Sequence, residues 1–320
     1  MKLLIAYDGS KYSEASLDDL ARAGLPDSGE ALVVSVADVW LPPENAGADA
    51  DADLSGIKLD PAVMHQIEEQ WQRSRDKVTQ AEALARQGEE RVRAALPGWN
   101  VGSTGTYGSP AWELLAKADD FGSDLILVGS QGRSAIGRLV LGSISQRVVT
   151  EAACSVRVGR GRVEVDESPV RLLVAFDGTE GSFAAVDEVA SRKWHAGSEI
   201  RLIAALEELA PSAVGRFIPP VSSLVDEVNE TGRTWLDDKA AEALEKLKLD
   251  GIKVEYQTVS GHPKRILTEE AEKWNADCIF MGANRFGSRT ERFLLGSTSA
   301  AVTARSHCSV EVVRKRTAVG

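Results

Sequence analysis

The sequence predicts an α/β protein in two tandem copies, each a five-stranded, mostly parallel sheet with helices on both faces. Three observations carry this. The first is an internal repeat: KLLIAYDGS (2–10) returns as RLLVAFDGT (171–179), LVLGSIS (139–145) as FLLGSTS (293–299), and CSVRV (154–158) as CSVEV (308–312), in the same order. The second is the alternation, in both copies, of near-continuous apolar runs with stretches of helical periodicity, as expected of strands buried between crossover helices. The third is size: 320 residues with 43% hydrophobic and 27% charged content suffice for two cores.

In the first copy a strand over 2–7 ends at Asp8, and a helix follows over about 13–24. The run ALVVSVADV (31–39) is the second strand. A long amphipathic helix spans about 60–94, with Val63, Ile67, Trp71, Val78 and Leu84 near helical spacing. A third strand (99–107), a helix (110–121), a fourth strand (124–129), a helix starting near Ser143 and a fifth strand (155–159) complete the unit. The second copy repeats this with strands near 170–176, 200–206, 252–259, 277–282 and 309–314, and a long helix over about 221–248. The domains are therefore expected over 1–160 and 170–320, joined by a linker over 161–169. The copies are offset by 169 at Asp8 and Asp177 but by 153 at Gly129 and Gly282. The surplus falls in LPPENAGADADADLSG (41–56), whose Pro, Gly and Asp suit neither helix nor strand. Two copies suggest an intramolecular pseudo-dimer, with the last strands as candidate pairing edges and further homo-oligomers open.

A formal net charge of -11 argues against non-specific binding to nucleic acid or anionic membrane. Asp8 interrupts the opening MKLLIAYDGS too early for a signal peptide. No apolar run approaches the ~18 residues of a membrane-spanning helix. Three cysteines, Cys154, Cys278 and Cys308, are too few for a disulfide framework. The expectation is a cytoplasmic protein.

In open parallel sheets ligands bind at the carboxyl ends of strands, where the strand order reverses. Strand one ends in Asp8–Gly9–Ser10 and strand four in Gly129, from which the chain runs GSQGRSAIGRLVLGSIS. Gly129 and Gly132 would let the backbone turn and approach a ligand with no Cβ in the way. Gly142–Ser143 opens the next helix, where unpaired amides and the helix dipole favour an anion. The hydroxyls of Ser143 and Ser145 add donors, completing a phosphate cradle. The plainer reading makes Ser143 an ordinary N-cap and Gly129 an ordinary strand-end glycine.

On the G-x2-G-x9-G-S pattern at 129–143, Asp8 and the closing CSVRV, the chain resembles the universal stress protein family, and in its two copies the tandem members. The resemblance implies a Rossmann-like, adenine nucleotide α-hydrolase-like fold and binding of ATP or another adenine nucleotide, with or without Mg. By position it puts the Asp8–Gly9–Ser10 turn toward ribose or adenine and the Val36 backbone on adenine. Gly129, Gly132, Gly142, Ser143 and Ser145 would hold ribose and phosphates, with the Ile144 amide beside them. Apart from the resemblance, Arg133 and Arg138 in the loop either line it as partners for phosphate or are solvated loop charges. The counterparts in the second copy are Asp177, Gly178, Thr179, Ala205, Gly282, Gly287, Gly296, Ser297, Thr298 and Ser299. There Arg285 stands at the expected second glycine and the spacing becomes G-x4-G-x8-G-S. That loop either forms a second cradle or is filled by Asn284 or Arg285, with Arg289 and Arg292 nearby.

No Walker A lysine motif is present, nor a G-x-G-x-x-G after strand one, so neither a P-loop hydrolase nor a dinucleotide enzyme is expected. His65, His195, His262 and His307 lack metal-ligand spacing. His262–Pro263 reads as a helix start, matching Ser109–Pro110. Three functions stay open: an adenine-nucleotide-binding stress or signalling module, a ligand-free pseudo-dimeric scaffold, and a weak ATP hydrolase. The glycine spacing favours the first over the second. The lack of a positioned base favours it over the third.

Overall fold

In the computed structural model, residues 1–41, 60–131, 141–160, 169–207, 219–283 and 295–315 are described. The first copy carries β1 (Lys2–Ala6), α1 (Lys11–Asp18), β2 (Glu30–Ala37), α2 (Pro61–Ala95), β3 (Asn100–Tyr107), α3 (Pro110–Phe121), β4 (Leu125–Gly129), α4 (Ser143–Glu151) and β5 (Ser155–Gly159). The second carries β6 (Arg171–Phe176), α5 (Glu180–Ser191), β7 (Glu199–Leu206), α6 (Pro219–Lys246), β8 (Lys253–Ser260), α7 (Pro263–Trp274), β9 (Cys278–Gly282), α8 (Ser297–Arg305) and β10 (Ser309–Val313). Most of the 41–56 insert and of the linker lie outside the described residues, as do Gly132, Arg133, Arg138, Asn284, Arg285, Gly287, Arg289 and Arg292. Among the described residues, no helix is long and apolar enough to cross a membrane.

Ten strands form one sheet in the order β3-β2-β1-β4-β5-β10-β9-β6-β7-β8. Within each copy neighbouring strands are parallel, giving two Rossmann-like units back to back. The strand order reverses between β1 and β4, and again between β6 and β9, which opens a crevice at each carboxyl edge. The copies meet where β5 and β10 pair antiparallel, Val156 opposite Val312, Arg157 opposite Glu311 and Val158 opposite Val310.

On one sheet face a single apolar core crosses this seam, with Val156, Val158, Val310 and Val312 beneath helices of both copies. On the other face the cores stay separate, one around Leu3, Ile5 and Leu17, the other around Leu172, Val174 and Val186. Between them, Arg157 and Glu311 are buried in an ion-pair chain. Arg157 Nε donates to Asp19 at 2.6 Å and its Nη1 lies 3.2 Å from Glu311. Arg192 donates to Glu311 at 3.0 Å, to Glu188 at 2.7 Å and to the Ala23 carbonyl at 2.8 Å.

The first helix corrects the expected 13–24. Ser10 caps it, accepting from Ser13 N at 3.2 Å, so it starts at Lys11. The Ser13 and Ser16 hydroxyls bond back to carbonyls three residues earlier, and the chain tightens into a 3₁₀ turn over Asp19–Arg22. Pro110 and Pro263 each occupy the first turn of a helix, behind Ser109 and His262. Cys154, Cys278 and Cys308 are buried thiols, none of them in a disulfide.

Candidate functional site

The crevice of the first copy is a cleft of about 420 Å³, within the range of small-molecule sites. Its floor is the ends of β1 and β4, with Asp8 and Gly129; β2 contributes Val36, and the first turn of α4 contributes Ser143, Ile144 and Ser145. The long helix α2 closes one side with Lys77, Gln80 and Leu84. Among the described lining residues the charges are Asp8, Asp38 and Lys77.

The opening of α4 gives the cleft its chemistry. Gly142 is the N-cap and supplies no capping side chain. The first helical bond runs from Gln146 N to Gly142 O, at 2.8 Å. The amides of Ser143, Ile144 and Ser145 therefore precede the helical ladder and, with the helix dipole, suit an anion. Beside them Asp8 accepts Ser10 N at 3.0 Å, which fixes the carboxylate at the strand end. Tyr7 donates its hydroxyl to Glu14, and burial foremost, with Glu14, pushes the phenol well above its ordinary range. Tyr7 is thus a neutral wall of the cleft.

The second cleft measures about 270 Å³ and repeats this plan with Asp177, Ala205, Gly282, Gly296 and Ser297–Ser299. No residue of α6 is among its described lining, and Asp177 is its one described lining charge. Gly296 is again a helix N-cap without a capping side chain. Among the described residues a Cβ there would meet only Ser299 Oγ, at 3.9 Å, an ordinary contact.

Several residues hold places other than those expected. Ser143 is not the N-cap but the first helical residue, so the plainer reading of it fails. Ser145 is buried and donates its hydroxyl to the Gly129 carbonyl at 2.6 Å, so that proton is committed to the fold and not to a phosphate. Ser299 does the same toward Gly282, at 3.4 Å. Gly129 is glycine because α1 packs on it: a Cβ would lie 2.8 Å from the Tyr12 carbonyl carbon and oxygen. Gly282 is tighter still, with Gly181 O at 2.0 Å. Gly9 and Gly178 serve the turn, at φ 69 and 73, and Ser10 serves α1 as cap; none of the three is among the described lining residues. Thr179 caps α5 and does line its cleft. The sequence reading missed Lys77 and Gln80, since periodicity alone does not say which turn of a 35-residue helix overhangs a cleft. Among the described residues no cluster of three His, Cys, Asp or Glu could hold a metal.

Comparison with known proteins bears out the family and the fold. The family model described as "Universal stress protein family" matches residues 1–160 and 170–314. A universal stress protein of Mycolicibacterium smegmatis is 28% identical over 195 residues, 61% of this chain and 63% of that protein, so the match spans less than two thirds of that relative. Universal stress protein YxiE of Bacillus subtilis is 30% identical over 159 residues, covering 50% of this chain and 98% of its own. The crystal structure of a universal stress protein from Archaeoglobus fulgidus superposes over 99% of this chain and 98% of its own with a TM-score of 0.59, at 22% identity, which establishes likeness of fold.

Proposed function

Because the chain belongs to the universal stress protein family, we propose that it is an adenine-nucleotide-binding module of stress response or signalling, with ATP as the ligand of the first cleft. One observation carries the reading: an uncapped helix N-terminus opens into a cleft of about 420 Å³ at the β1/β4 reversal. The three leading amides of α4 supply donors for phosphate without a lysine motif. Asp8 suits ribose hydroxyls or a phosphate-bound Mg, and the Val36 edge of β2 suits the base. Lys77 adds a cation to the same wall. The second cleft takes the same ligand class in a smaller space, and occupancy of the pseudo-dimer biases the choice of partner. In this reading the chain's role is to bind and hold.

The test is mass spectrometry of small molecules released from the denatured, purified protein, followed by calorimetric titration with ATP, with and without Mg. Micromolar binding corresponds to about 8 kcal/mol. Gly142→Val suits the N-cap backbone at φ -63 and ψ 150 and costs about 1 kcal/mol as a poorer cap; it should cut ATP affinity at least tenfold with an unchanged circular dichroism spectrum. If the wild-type protein neither releases adenine nucleotide nor binds ATP, the reading fails. Multiple turnovers that disappear in Asp8→Ala with binding retained would make the protein a hydrolase instead.

A further inference from the structure

Arg157 and Glu311 are equivalent residues of the two copies, offset by 154, and they face each other across the seam. Val156 meets Val312 and Val158 meets Val310 on either side of them, so the pseudo-twofold axis relating the copies passes through the Arg157–Glu311 pair. A residue on such an axis meets its own copy in any symmetric dimer of like units. Here it meets the opposite charge, with Arg157 1% and Glu311 0% exposed.

The flanking residues break the symmetry in the same sense. Asp19 and Glu188, offset by 169, are both acidic and each holds the arginine of its own copy. Arg192, however, has Ala23 as its equivalent, and it reaches across the seam to the Ala23 carbonyl and to Glu311, on its own copy, at once. In a pairing of two second copies, Ala23 would be replaced by another Arg192, and Glu311 would face Glu311. In a pairing of two first copies, Arg157 would face Arg157, each retaining its own Asp19. Either like pairing turns the axial attraction into a buried contact of like charges and forfeits the Arg157–Glu311 pair, leaving each axial charge with the partner of its own copy alone.

We infer that the seam is coded by charge: the β5 edge selects an edge with a carboxylate at the axial position, the β10 edge of the second copy, so unlike halves pair and like halves do not. This is specificity by repulsion of the wrong partner as much as by attraction of the right one. With β5 and β10 both consumed, the chain closes on itself and leaves β3 and β8 as the outer edges.

The test uses the full chain. Arg157→Glu places two carboxylates on the axis and Glu311→Arg places two guanidinium groups there. Each variant alone should lose the closed monomer of 34.3 kDa in light scattering and be cut by trypsin at least tenfold faster than wild type. Co-expressed, the two variants should recover as a one-to-one dimer, because every pairing between them joins unlike charges. Either single variant behaving as a wild-type monomer, or a co-expressed pair that yields no mixed dimer, overturns the inference. Should charge reversal abolish folding, Asp19→Asn/Arg157→Met/Glu311→Met decides, since it keeps the shape and removes the axial charges. Differently tagged copies of that variant should co-purify where wild-type copies do not; strictly monomeric behaviour would show that the tether, not the charge, selects the partner.

Discussion

Ser145 donates its hydroxyl to the Gly129 carbonyl at 2.6 Å, tying the first turn of α4 to the end of β4. Gly142 N donates to Ser130 O at 2.9 Å beside it. The two bonds pin both ends of the segment joining β4 to α4 and set where the uncapped amides point. Ser145→Ala should therefore lower stability by about 1 kcal/mol in urea unfolding and weaken ATP binding by loosening the turn that presents the amides. Ser299→Ala, removing a bond of 3.4 Å, should cost less. Equal losses at the two sites would contradict this account.

Gly129, Gly282 and Gly296 separate packing from binding. Gly129→Ala should destabilise the protein by about 1–3 kcal/mol through overpacking against the α1 backbone, since neither element is the free end of a flexible side chain. Gly282→Ala should be worse, its Cβ meeting Gly181 O at 2.0 Å. Gly296→Ala should leave the unfolding midpoint almost unchanged, because among the described residues its Cβ meets only Ser299 Oγ, at an ordinary 3.9 Å. Any ligand affinity lost in Gly296→Ala is then a direct effect on the second cleft.

These glycines also show what a sequence can and cannot say. The repeat, the apolar strands and the Gly142–Ser143 helix start were legible because each is local: buried parallel strands read as apolar runs, and helix starts carry their own signals. The reasons for Gly129 and Ser145 were not legible, because both depend on the distance between segments far apart in the chain. The same holds for the seam. CSVRV and CSVEV differ at one position, with opposite charge, but that difference acquires meaning only once the pairing register puts Arg157 on the axis with Glu311.

Two further arginines clasp the seam reciprocally. Arg160 reaches the carbonyls of Thr303, at 2.5 Å, and Cys308, at 3.3 Å, while Arg314, offset by 154, reaches those of Val149 and Cys154. Each arginine thus satisfies carbonyls around the end of the other copy's last helix. Arg314→Met should cost about 1.5–3 kcal/mol, the range for hydrogen bonds to a charged group. Arg160→Met should cost somewhat less, being half-buried where Arg314 is buried. The double variant should deviate from additivity, because both residues hold one interface. Urea unfolding of the two single variants and the double variant completes the cycle.

Alkaline pH should test the second copy's outer edge. Tyr256 donates its hydroxyl to Asp237 at 2.8 Å, and burial foremost, with Asp237, pushes its pKa from 10.0 to about 12, against the opposing bond from Thr258. The folded state therefore holds this proton above the pH at which the unfolded chain releases it. Stability from the group is fully present below pH 10 and should be lost progressively as pH rises from about 10 to about 12. Tyr7, raised further by burial and Glu14, adds to the same decline and titrates later. Tyr256→Phe should flatten the fall in unfolding midpoint across that window, followed by urea unfolding at each pH. A midpoint that falls as steeply in Tyr256→Phe as in the wild-type protein would assign the alkaline loss to groups elsewhere.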